Sequence, residues 1–149
     1  MLYCNDDVGK LRGSDDNMVL VEEMRQLETA CKKLQEERDI YHVGVVNSLG
    51  RLIAGGFKNT IAPIVDDEKV RMIYMQMQLD FKMRKELDEI LGEIDYIASR
   101  RTNYLSVNVP IGDNLVIIMA KPNSNDKKIV KKAESLFDEI EIKSFSYEL

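Results

Sequence analysis

Apolar side chains recur along this chain at more than one period. Leu20, Met24, Leu27, Cys31 and Leu34 alternate four- and three-residue steps in a stretch otherwise built of Glu, Gln, Lys and Arg. This predicts a first helix with one narrow apolar stripe. The same spacing suits a coiled coil, but it lasts little more than two heptads, so packing against a sheet is the favoured reading. In "YHVGVVNSLGRLIAGGF", residues 41–57, the period falls to two: Tyr41, Val43 and Val45 alternate with His42, Gly44 and Val46, and "NSLGR" supplies turn chemistry before the chain returns. That pattern predicts a β-hairpin. Gly55 and Gly56 are expected to permit a bulge or a sharp exit, and "NTIAP" to loop towards the next helix.

The second helix is expected from "DDEKV", where Asp66 or Asp67 can cap free amides, to about Leu91 before Gly92. At about 100° per residue, Val70, Ile73, Tyr74, Met77 and Phe81 share one face. Met72, Met75, Leu79, Met83 and Ile90 fall nearly opposite. Arg71, Gln78, Lys82, Lys85 and Glu89 form one polar flank, with Lys69, Gln76 and Asp80 on the other. An ordinary surface helix of a small domain has one apolar face, so the second stripe predicts a second partner. Methionine there suits a plastic groove or adaptable core packing. A homodimer contact is preferred to a ligand pocket, because a two-fold axis often sets a helix against its own copy.

Beyond Gly92, "EIDYIASRR" alternates Ile94, Tyr96 and Ala98, and "NYLSVNVPIGDNLVIIMAK" reads as two strands joined at Pro110–Asn114. Leu105, Val107 and Val109 alternate against Tyr104, Ser106 and Asn108. The run Leu115–Ala120 is almost uniformly apolar, as a central strand covered on both faces would be. "NSNDKKIVKKAESLFDEIE" then offers capping residues and places Ile129, Ala133, Phe137 and Ile140 on the face of a third helix, with Leu136 alongside. Residues 18–141 are read as one domain, preceded by a disordered leader at 1–17 and followed by a tail at 142–149.

Composition narrows the function. With 149 residues, 32% of them charged and 44% hydrophobic, and a formal net charge of −5, the chain is a soluble globular type and not a general nucleic-acid binder. The longest apolar runs, such as "LVIIMA" at 115–120, fall far short of the roughly 18–20 residues that span a bilayer. The first 17 residues carry acids where a signal peptide needs a basic and then an apolar stretch. A cytoplasmic location is expected. Cys4 and Cys31 give neither a disulfide framework nor a zinc spacing. No Walker loop or G-x-G-x-x-G turn occurs, and no cofactor or metal is expected.

The order helix, hairpin, long helix, three-stranded meander, helix resembles the Roadblock/dynein-light-chain domain, close to longin and profilin-like folds. "GVVNSLGRLIAGG" at 44–56 is similar to that family's first hairpin. The "KMRKE" run at 82–86 and the "VPIG" turn at 109–112 resemble an archaeal family of such domains. The likeness covers residues 19–141. It implies an α+β fold: a three-layer α/β/α sandwich with a five-stranded antiparallel sheet, one long helix on one face and the N- and C-terminal helices on the other. It also implies dimers that pair the second helix and a neighbouring edge strand across a two-fold axis. The edge strand would be Glu93–Arg101, with Arg100 and Arg101 facing acids across the seam or blocking the edge. Members commonly scaffold or regulate small Ras-like GTPases, and the resemblance brings no catalytic residue to this chain.

His42 is the only histidine. A metal cluster or a Ser-His-Asp relay would depend on it alone, and a strand-face or core position is the plainer reading. The adjacent acid pairs Glu22–Glu23, Glu36–Glu37 and Asp66–Asp67 diverge on a helix or cap its start, so they make no catalytic dyad. Lys127, Lys128, Lys131 and Lys132 crowd the start of the third helix, against its dipole. Pairing with acids of the first helix, which lies beside it in a Roadblock-like arrangement, is the plain explanation. A docking patch for an acidic partner or anionic lipid is the sharper one. Two functions follow: a noncatalytic dimeric scaffold or regulator of a small GTPase, or a small-molecule sensor of profilin-like or PAS-like build whose Met-rich face closes a pocket.

Overall fold

The structure, a computed structural model, describes residues 21–58, 65–138 and 140. The expected leader, the "NTIAP" loop and the tail lie outside the described residues. Helix α1 occupies residues 21–35. There follow β1 (Ile40–Val46), β2 (Leu52–Phe57), α2 (Asp67–Lys85), a single turn α3 (Asp88–Leu91), β3 (Ile97–Arg100), β4 (Leu105–Ile111), β5 (Asn114–Ala120) and α4 (Asp126–Phe137). The strands form one antiparallel sheet in the order β2-β1-β5-β4-β3, which leaves β2 and β3 as its edges.

Strand β5 is buried along its whole length, and its side chains feed both layers. Val116, Ile118 and Ala120 join Val43, Val45, Val107 and Val109 beneath Leu27, Cys31 and Leu34 of α1 and Ile129, Ala133 and Phe137 of α4. Leu115, Ile117 and Met119 pack on the other side against Val70, Tyr74 and Phe81 of α2. The expected three-layer α+β sandwich is therefore present, with the long helix alone on one face among the described residues. Helix starts follow their caps: Asp66 accepts from the Lys69 amide at 2.8 Å, and Asn125 from the Lys128 amide at 3.1 Å.

The sequence reading needs correction at four places. The second helix does not run unbroken to Leu91. At Glu86 and Leu87 the amides bond three residues back, to Met83 and Arg84, and the tightened turn ends α2 before α3 begins. The edge strand is also shorter than Glu93–Arg101. Because regular pairing starts only at Ile97, Ile94 and Tyr96 part company, Ile94 joining the α2 side and Tyr96 the opposite core. The bulge in the first hairpin falls at Ile53, between the pairs Val46 with Leu52 and Val45 with Ala54, and not at the glycines. Gly55 is required for a different reason. Its φ is +78°, and a Cβ there would sit 2.1 Å from the Val43 carbonyl oxygen and 2.8 Å from Cys31 Sγ, where the edge strand passes over α1.

Gln78 is the fourth correction. Helical spacing puts it on the polar flank of α2, yet it is buried, and its amide donates to the carbonyls of Val46 at 3.1 Å and Asp113 at 3.2 Å. Lys82 donates to the Ser48 carbonyl at 2.6 Å, and Lys85 pairs with Asp113 at 3.2 Å. This flank fastens α2 to the β1–β2 and β4–β5 turns. His42 fastens it near its other end: Nδ1 donates to the Ile117 carbonyl at 3.0 Å, so Nε2 is the acceptor for the Tyr74 hydroxyl at 2.6 Å. Burial lowers the His42 pKa to about 4, which keeps the ring neutral in the core.

Two outcomes follow for stability. Gly55→Ala should cost about 2–4 kcal/mol in urea unfolding, from strain and overpacking together. Gly112→Ala, also at positive φ but in open space, should cost about 1 kcal/mol. As for pH, the unfolded chain carries the extra His42 proton between the folded pKa of about 4 and the ordinary 6.5. Stability should therefore rise by roughly 3 kcal/mol as pH climbs through that window and level off above it. His42→Gln should remove that component of the pH profile whatever its own stability.

Candidate interaction surface

With its inner face committed to the sheet, α2 presents the second stripe to solvent. Met72 is 47% exposed, Met75 61%, Leu79 61% and Met83 66%. Side chains of this size on one side of a single helix make a continuous apolar face rather than scattered exceptions. Ile90 is 79% exposed but belongs to α3, where Leu87 and Leu91 are exposed beside it. On the hairpin side, Leu49 of the β1–β2 turn is exposed as well, and Gly50 lies so close to Met75 that an added Cβ would stand 3.0 Å from its Cγ. The sequence reading missed Leu49, Leu87 and Leu91. An apolar residue between Ser48 and Gly50, in a turn where polar residues are the rule, was the available signal for Leu49.

The arginines expected at the seam separate. Ile97 packs into the α2-side cluster, and strand alternation turns Arg100 to the opposite face. There its guanidinium donates to the carbonyls of Pro122 and, at 3.0 Å, Ser124, and lies 3.9 Å from Asp126. Arg101 is exposed just past the strand end, its amide bonded to the Tyr104 carbonyl at 2.8 Å. Among the described residues, strand β3 pairs with β4 alone, and its other edge is open.

The four lysines lie on the outward side of α4, in its first two turns. Lys132 pairs with Glu37 at 3.1 Å, just beyond α1, so internal pairing accounts for one of them. A groove of about 570 Å³ runs between the edge strand β2 and the first half of α2, lined by Leu49, Leu52, Phe57, Val70, Tyr74 and Met75 among others. Cys31 carries no reactive thiolate, since burial and the nearby Glu28 carboxylate push its pKa up to about 12. The accessible chemistry on the α2 side is that of an apolar contact surface flanked by charge.

The sequence family described as a family of unknown function, DUF6659, matches residues 20–144. The chain belongs to that family. A search among curated proteins gives no match. Similar folds occur among solved structures. MglB of Myxococcus xanthus superposes with a TM-score of 0.65 at 14% identity, over 86% of this chain and 93% of that one. For the gliding protein MglB of Thermus thermophilus the TM-score is 0.60 at 10% identity, over 78% and 92%. The Roadblock/LC7 domain from Streptomyces avermitilis gives 0.59 at 8% identity, over 74% and 90%. At these identities the likeness is one of fold, and the fold of this DUF6659 chain is Roadblock-like.

The two faces of α2 should respond differently to truncation. Phe81→Ala is expected to cost about 3–5 kcal/mol, whereas Met75→Ser and Met83→Ser should each change the unfolding free energy by no more than about 0.5 kcal/mol in urea at low protein concentration.

Proposed function

We propose that this chain is a noncatalytic scaffold or regulatory protein that works as a two-fold homodimer, with a small Ras-like GTPase as its partner. The observation that carries this reading is the position of the methionine stripe. It lies exposed along the outer side of α2, not folded over an enclosed cavity as a sensor would need. The dimer seam in this reading comprises Met72, Met75, Leu79 and Met83, with Ile90 of α3 and the open edge of β3 beside them. Two copies of α2 related by a two-fold axis across the seam run antiparallel. The acids of its first turn, Asp67 and Glu68, then approach the basic last turn of the partner's α2, where Lys82 and Lys85 hold turns of their own chain and Arg84 pairs with Asp80 at 3.0 Å. That charge order favours self-pairing over a parallel arrangement.

The GTPase partner rests on the Roadblock-like fold and on the common use of that family as a platform for small GTPases. One similar structure is of MglB with a tetrameric arrangement, so self-assembly is recorded for that protein. The groove between β2 and α2 supports a second reading, a small-molecule sensor, because its lining is largely apolar and includes Met75.

Light scattering on purified protein tests the dimer. The expected mass is twice the 17.1 kDa of one chain. Met75→Glu and Met83→Glu should each give a single-chain mass with an unchanged circular dichroism spectrum, since two charges buried face to face at a seam are strongly unfavourable. A wild type that stays at 17.1 kDa at high concentration, or charged variants that remain dimeric, would overturn this reading and leave the sensor.

A further inference from the structure

A second surface lies on the opposite layer, at the corner where α4 begins. Lys127, Lys128 and Lys131 on α4 and Arg38 on the segment before β1 are all exposed, and none has an ion-pair partner among the described residues. Arg38, Lys128 and Lys132 line one groove of about 340 Å³ between these two elements. The other cations of the corner are engaged: Lys132 with Glu37, Lys121 with Asp39 at 3.6 Å, Arg100 with Asp126, and Lys58 with the Glu37 carbonyl at 2.6 Å. The remaining acids are Glu36, exposed beside Glu37, and the half-buried Glu134, three residues beyond Lys131 on α4. The corner is thus locally positive on a chain whose net charge is −5.

Three features of this corner select its partner. The lysines occupy the first two turns of α4, where the helix dipole disfavours cations, so their clustering works against local helix stability. None of the large apolar residues exposed among the described residues belongs to this corner, whereas a protein docking site has an apolar centre within a polar rim. The outward side of α4 and the segment 36–39 carry no aromatic residue on which a nucleic-acid base could stack. Flexible, uncompensated lysines without an apolar or aromatic anchor suit a diffuse, planar anion.

We propose that the α4 corner is a docking surface for an anionic phospholipid membrane, contacted by Lys127, Lys128, Lys131 and Arg38. The contact is electrostatic and peripheral. It places no segment in the bilayer, in keeping with the absence, among the described residues, of a helix long and apolar enough to cross one. The surface lies across the sheet from the methionine stripe, so the inference stands independently of the dimer. If the dimer forms, two such corners on one assembly would raise the avidity.

Co-sedimentation of the full chain with vesicles tests it, comparing phosphatidylcholine containing about 30% phosphatidylserine with pure phosphatidylcholine at about 50 mM salt. The chain should pellet only with the anionic vesicles and be released at high salt. Each cation removed should weaken partition about fivefold, and the triple reversal Lys127→Glu, Lys128→Glu, Lys131→Glu should weaken it roughly a hundredfold or more. The same variant should melt no lower than wild type, because glutamate is favoured at a helix start, so loss of binding could not be ascribed to unfolding. Failure to bind anionic vesicles, equal binding to neutral ones, or wild-type binding by the triple variant would overturn the proposal. Tighter binding to a single-stranded oligonucleotide than to the vesicles would overturn it in favour of a nucleic acid.

Discussion

The double burial of β5 is the constraint on which the rest of this structure depends. A strand with apolar side chains on both faces at the centre of a sheet has to be covered twice, and each fully buried aliphatic side chain stabilises the cover by about 1.5–3 kcal/mol. Helices α1 and α4 close one face around Val116 and Ile118, and α2 closes the other around Leu115, Ile117 and Met119. Two helices share the first task and one performs the second. Among the described residues, α2 therefore lies alone on its face of the sheet, with no neighbouring helix over its outer surface.

Polar contacts fix which way that outer surface faces. Tyr74 bonds to His42 on β1, Gln78 reaches the Val46 and Asp113 carbonyls, and Lys82 and Lys85 hold the two turns at the far end of the sheet. Asn108 on β4 adds a contact to Met77 Sδ at 3.0 Å. Rotating the helix to hide Met75 or Met83 would break these bonds, and at His42, Tyr74 and Gln78 would leave buried donors and acceptors unpaired at about 1–3 kcal/mol each. The apolar stripe is held outward by the same interactions that attach the helix.

Much of the fold was legible in the sequence because periodicity records burial. The two stripes of α2 as far as Met83, the alternation of β4 and the uniform run of β5 each appear at the predicted residues, and the capping residues Asp66 and Asn125 start their helices as expected. What was not legible depended on tertiary partners. Gln78 reads as polar on any helical wheel, and only the turns beside it make its burial favourable. The break at Glu86 has no glycine or proline to announce it. Gly55 looks like bulge chemistry until α1 is seen passing beneath, with Cys31 against the backbone. Of the candidate sites, the methionine stripe was visible as a pattern, whereas the facing of Arg100 depended on the register of β3 and the corner at Arg38 on the return of α4 towards β1.

The central claim is that the outer stripe of α2 is covered by a second copy of the chain. Methyl NMR of methionine-labelled protein at high concentration, with a soluble paramagnetic probe, reads this directly. The account predicts that the methyls of Met72, Met75 and Met83 are shielded from the probe to nearly the extent of buried Met119. If those three methyls relax as freely as their exposure in the single chain implies, while Met119 stays protected, the stripe is bare and the claim is contradicted.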